Sequence, residues 1–181
     1  MQTGFGRTTF LALSSLALAA AAVAVPRVSN AQALTDANIV YILDQANTAD
    51  SARGTLAESR GTSADVRSFG RLMAGEHHAL RAQGQQLAHK LGVTPQAPAG
   101  DKSAAQAAEE MRKLRATPKG KGWDRAYIDY EVTYHQAVLE TATKALGEAK
   151  NEELKNLIKA AAPVLQHHLE EAKRIQKQLG S

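Results

Sequence analysis

Residues 64–92 read ADVRSFGRLMAGEHHALRAQGQQLAHKLG. Val66, Phe69, Met73, His77, Leu80, Gly84, Leu87 and Leu91 follow one another at steps of three and four, which keeps them on one face of a helix. Ser63 stands at the N-cap position and Gly92 follows the last apolar residue, so the pattern predicts a helix from about Ala64 to Leu91. One member of the stripe, His77, is not apolar.

Two more stripes have the same form. In a predicted helix from Trp123 to Glu148 the series is Ile128, Val132, His135, Leu139, Ala142 and Leu146. In another, from Glu152 to Leu179 with Asn151 as cap, it is Leu154, Ile158, Ala161, Leu165, His168, Ala172, Ile175 and Leu179. Pro163 lies inside this last helix and is expected to kink it, because its ring removes a backbone donor. A fourth long helix is predicted from Asp36 to Ser59, capped by Thr35 and followed by Gly61, with the least regular stripe of the four. A short helix, Ala104 to Ala116, is predicted to open with Ser103 and Gln106 at capping-box spacing. The composition favours helix formers and no segment alternates as a strand would, so the fold class is all-α.

The connection from Gly92 to Gly122 carries Pro95, Pro98, Pro118 and the short helix, and it far exceeds the two to eight residues that join antiparallel neighbours. Its length predicts two antiparallel hairpins joined by one long crossover, the plan of a ferritin-like four-helix bundle with a short extra helix.

The first 33 residues have the form of a secretory signal: Arg7, the apolar run FLALSSLALAAAAVAV from Phe10 to Val25, and the small-x-small site Ala31-Gln32-Ala33. A retained transmembrane anchor is the alternative, but the run is short and Pro26 follows it at once. The expected domains are therefore a signal peptide, 1–33, and a helical domain, 34–181, periplasmic or secreted and without a membrane span after cleavage. No cysteine is present, which excludes disulfides, thiolate ligands, a cysteine nucleophile and a lipidated cysteine. The formal charge of +4 falls to +2 once Arg7 and Arg27 are removed, and the remaining bases are scattered among acids. That pattern argues against a nucleic-acid partner and leaves an envelope protein or a second copy of the chain as candidate partners.

His77, His135 and His168 lie within about three residues of their helix midpoints, or about 4.5 Å along the axis, so their depths agree whichever way each helix runs. Asp50 is the polar residue at similar depth on the first helix. Three imidazoles and a carboxylate converging from four helices would form a metal shell, for which zinc, copper, iron and manganese are candidates. Each histidine alone also fits a packing residue satisfied by a carbonyl or an acid, and Asp50 also fits a surface acid or a partner of Arg53. Glu76 and Glu131 are placed to orient a ring nitrogen, but surface positions are expected for both. His78, His89 and His167 are expected to be exposed. Trp123, Tyr127, Tyr130 and Tyr134 are expected at helix contacts. No convincing nucleophile or base stands beside the cluster, so a non-enzymatic role is the expectation.

The motifs resemble a known family. Ala49-Asp50 before Gly54-Thr55-Leu56-Ala57, then Val66-Arg67-Ser68-Phe69-Gly70 leading to Met73 and Glu76-His77, looks like its first half. Trp123-Asp124-Arg125-Ala126-Tyr127 leading to His135, and Pro163-Val164-Leu165 leading to His168-Leu169, looks like the second. This is the bacterial ferritin-like domain of unknown function (4142) often labelled "predicted outer membrane protein". The resemblance implies an exported four-helix domain, with the family's recurring histidines at His77, His135 and His168 and its usual first-helix glutamate replaced by Asp50. It implies no settled activity. The Glu-x-x-His pairs of di-iron ferritins do not occur, which argues against iron storage of that kind. The expected function is divalent-metal binding in envelope metal handling or stress tolerance; the alternative is a structural or interaction bundle in the periplasm without metal.

Overall fold

The computed structural model describes residues 33–180; the predicted leader lies outside them except for Ala33. Five helices follow in order: α1 (Asp36–Arg60), α2 (Ala64–Leu91), α3 (Ser103–Ala116), α4 (Lys121–Glu148) and α5 (Glu152–Gly180). No strand occurs among the described residues, and none of their helices is long and apolar enough to cross a membrane.

Most helix ends are where the caps place them. Thr35 accepts from the Asn38 N–H while the Asn38 side chain accepts from Thr35 N–H, closing a capping box on α1. Ser63 caps α2, and Asn151 accepts from Glu153 and Leu154 at the start of α5. Gly92 ends α2 at φ 63°, a left-handed conformation that a side chain would strain.

Two expectations fail at the ends. Ser103 is already inside α3, whose cap position is Lys102, and the Ser103 hydroxyl donates to Asp101 Oδ2 at 2.9 Å, so the Ser103–Gln106 capping box does not form. Helix α4 begins two residues before Trp123, directly after Gly120. Helix α5 runs without a break through Pro163, which sits on its exposed face.

Side-chain pairs fix the topology. Asp44 meets Arg81 and Glu58 meets Arg71, so α1 and α2 are antiparallel. Lys90 meets Glu153 and Asp65 meets Arg174, which makes α2 and α5 antiparallel. Asp36 receives the Lys150 and Asn151 N–H groups, whereas Asp124 receives those of Thr62 and Ser63, so α1 and α4 are antiparallel as well. These last two carboxylates perform the same task at opposite ends: each sits in the first turn of one hairpin and ties down the turn of the other. Helices α2 and α4 must then be parallel, and the chain between them has to travel the length of the bundle. It does so beside α1, from Gln96, held by Asn38, to Thr117, held by Arg60. Helix α3 is anchored by buried Leu114, whose carbonyl accepts the Trp123 indole N–H at 2.7 Å.

The interior has two apolar clusters. One holds Phe69, Met73, Trp123, Tyr127, Ile128 and Leu169; the other holds Ile39, Val40, Ala88, Ala145, Leu154 and Ile158. Between them lies a buried polar layer of Asn47, Asp50, Arg53, His77, Glu131, His135 and His168.

Candidate metal centre

The three histidines come from α2, α4 and α5 and are at most 1 % exposed. Their ring centroids are 5.0 Å apart for His77 and His168, 5.4 Å for His135 and His168, and 5.7 Å for His77 and His135. One nitrogen from each lies within 4.8 Å of the other two.

The outward nitrogens are all occupied. Asn47 donates its amide N–H to the Leu43 carbonyl, which turns its oxygen toward His77 Nδ1 at 2.8 Å. His135 Nδ1 is 3.0 Å from the carbonyl oxygen of Glu131, one turn earlier. His168 Nε2 is 2.8 Å from Glu76 Oε2. Each partner is an acceptor, so each outward nitrogen carries the proton and donates it. In the neutral rings the tautomer is thereby set, and the lone pair falls on His77 Nε2, His135 Nε2 and His168 Nδ1. These three buried atoms have no hydrogen-bond partner among the described residues.

Asp50 borders the triad. Its Oδ2, also without a hydrogen-bond partner, is 3.7 Å from His77 Nε2, while Oδ1 accepts from Arg53 Nη2. Arg53 Nε donates to Glu131 Oε1 at 3.0 Å, and the guanidinium carbon lies 4.3 Å and 4.8 Å from the ring centres of Tyr134 and Tyr130. Asp50 is thus both beside the histidines and a partner of Arg53.

Electrostatics separate the roles. Burial pushes His77 down to about 2, aided by the neighbouring imidazoles and Arg53, so its ring is neutral at any ordinary pH. Burial also lowers His168, against the pull of Glu76. At His135 burial opposes the charge, but the Glu131 hydrogen bond and Asp50 outweigh it and raise the pKa. Burial pushes the Asp50 carboxyl up to about 7 despite Arg53. Burial works against Glu131 too, but Arg53 and His135 hold it below the usual carboxylate range. Once Asp50 and His135 have given up their protons, Asp50, Glu131 and Glu76 face Arg53, leaving two negative charges in excess around three neutral imidazoles. One divalent cation would balance them.

All four residues singled out from sequence lie in this layer, with the three histidines forming the tighter set. His78, His89 and His167 are exposed, as their positions imply. Glu131 is not the surface carboxylate expected: it is fully buried, because Arg53 and His135 supply partners that make burial tolerable. Glu76 is half-exposed and holds His168. Asn47 was not identified from sequence, although its spacing of three from Asp50 and six from Arg53 marks a polar stripe on α1.

Fold and site together define an all-α bundle domain with a buried cluster of three histidines. The chain matches the family described as a domain of unknown function, DUF4142, over residues 19–175, and it belongs to that family. No curated protein and no solved structure matches it.

Proposed function

We propose that this domain binds one divalent transition-metal ion through His77 Nε2, His135 Nε2 and His168 Nδ1, with Asp50 as the neighbouring carboxylate, and serves metal handling or stress tolerance in the cell envelope. The observation that carries this reading is the trio of buried lone pairs, each aimed inward because the opposite ring nitrogen is held by an acceptor. Such outer partners are the usual support of histidine ligands. The excess of two negative charges also suits a divalent ion. Nitrogens around one tetrahedral ion at 2.0–2.1 Å are about 3.3 Å apart, so the rings would draw in by up to about an ångström. Imidazoles with one carboxylate suit zinc, copper or iron, with manganese the weakest fit.

Export rests on the leader sequence and on one further contact. Leu34 N–H donates to Glu148 Oε2 at 2.6 Å, so cleavage after Ala33 would set a new ammonium group against a carboxylate. We read the domain as ferritin-like in its hairpin-crossover-hairpin order.

A second reading is a structural or interaction bundle without metal. Arg53 favours it, since this cation already pairs with both Asp50 and Glu131. One experiment separates the two. Metal analysis of the purified protein, followed by competition titration with zinc and copper, should give one ion per chain. His135→Ala should weaken binding at least 100-fold, and His89→Ala should leave it unchanged. A folded wild-type protein that neither carries nor takes up metal would leave the structural reading standing.

A further inference from the structure

Above the polar layer the bundle is not closed. Between α1, α4 and α5, with α3 across its mouth, lies a cavity of about 620 Å³. Close-packed domains leave few voids larger than a water molecule, whereas small-molecule pockets run from about 300 to 1,000 Å³. The cavity is separate from the histidine cluster: Tyr130 and Tyr134, the rings that cover Arg53, form its wall on that side.

Its chemistry is one-sided. Ile42 and Ala46 of α1, Val138 and Ala142 of α4, and Ala161 and Leu165 of α5 give apolar walls, the alanines leaving room where larger side chains would meet. Polar groups gather at the α3 mouth, and its acids are already engaged, two by cations and Asp101 by the hydroxyls of Ser103 and Tyr41. Glu109 takes two hydrogen bonds from Arg112, Glu110 lies 3.6 Å from Lys113, and Asp101 accepts from Ser103. The side-chain amides of Gln45 and Gln106 stand at the same mouth without a protein partner. An anionic head group would find no free cation there and a cationic one only Asp101, already held by two hydroxyls, and either would lose hydration on entering, while an uncharged donor or acceptor would find two amides.

We infer that this cavity binds a neutral, largely apolar small molecule with a single hydrogen-bonding end, its body among α1, α4 and α5 and its polar end at Gln45 and Gln106 under α3. The inference does not depend on the metal reading.

The test uses the neutral fluorophore N-phenyl-1-naphthylamine as probe. Titration should give saturable, one-to-one binding with a blue-shifted emission. Decanol should displace the probe at a concentration at least tenfold lower than decanoate or decylammonium. Ala46→Phe and Ala161→Phe, which fill the cavity from two different helices, should each weaken probe binding at least tenfold, and Ala79→Phe on the exposed face of α2 should not. Hydrogen exchange on the wild-type chain supplies the location if the filled variants fail to fold: decanol should protect the amides of α3 and of residues 39–49. Absence of saturable binding, equal displacement by a charged competitor, wild-type affinity in folded filled variants, or protection elsewhere would each overturn the inference.

Discussion

A guanidinium that is 1 % exposed has to find its counter-charges inside the protein, and Arg53 finds Asp50 on its own helix and Glu131 on α4. Removing it leaves two buried carboxyl groups without a cation, and breaking such a pair costs about 3–5 kcal/mol. Arg53→Met should therefore lower the unfolding free energy by that order in urea denaturation at pH 7. Arg53→Met combined with Glu131→Leu should recover part of the loss, and a single variant as stable as wild type would contradict the role given to Arg53. For the proposed metal site, the same layer would set the pH dependence of binding. His77 and His168 are lowered and offer bare nitrogens at neutral pH, but His135 is raised and the Asp50 carboxyl stands at about 7. Protons on these last two must leave before a cation is accommodated, so affinity should fall as pH falls through 7, by about tenfold per pH unit for each proton released. Titrations at pH 8, 7 and 6 measure this directly, and an affinity constant across that range would show that neither group competes with the ion.

At the scale of the elements, the α1–α2 hairpin depends on backbones coming unusually close. A Cβ added at Gly54 would lie 2.6 Å from both Ala74 N and Gly70 O, and one at Gly70 would lie 2.5 Å from Glu58 N. Gly54→Ala should push the helices apart and cost about 1–3 kcal/mol, the range for overpacking. Gly75, on the same hairpin, has nothing within 4 Å of its added Cβ, so Gly75→Ala should stabilise by about 0.5–1 kcal/mol through helix propensity alone. Thermal melts of the two variants should move in opposite directions. Helices α2, α4 and α5 were legible in the sequence because their buried faces are mostly apolar, and α2 and α5 also have conventional side-chain caps, whereas α4 opens at Gly120 without one. Helix α1 was harder to read: Asn47, Asp50 and Arg53 occupy its buried face, so the residues that matter to the site erase the hydrophobic period that would have revealed it. The same cause hid Glu131, since burial of a carboxylate depends on an arginine from another helix. The start of α3 was misread because an acidic neighbour, Asp101, takes the hydroxyl that the spacing assigned to a cap.

For the whole molecule, the crossover that makes α2 and α4 parallel also brings the beginning of the helical domain against the turn between α4 and α5. Leu34 packs at the edge of the cluster around Ile39 and Leu154, and its N–H faces Glu148. If processing occurs after Ala33, the backbone N–H becomes an α-amino group with an ordinary pKa of about 7.7–8.0. Pairing with Glu148 would raise that value in the folded state. A raised basic group adds stability below its unfolded pKa and loses it as pH rises through the folded one, so the gain should be present at pH 6–7 and gone by about pH 10. A half-buried pair of this kind contributes about 1 kcal/mol. Protein beginning at Leu34 should accordingly melt higher than protein that retains Ala33 at pH 6.5, the two should converge at pH 10, and Glu148→Gln should remove the difference. If the chain is exported as proposed, mass measurement of the envelope form should locate its first residue at Leu34. A longer form carrying Ala33, or equal melting of the two forms at pH 6.5, would detach the leader's cleavage from the stability of the fold.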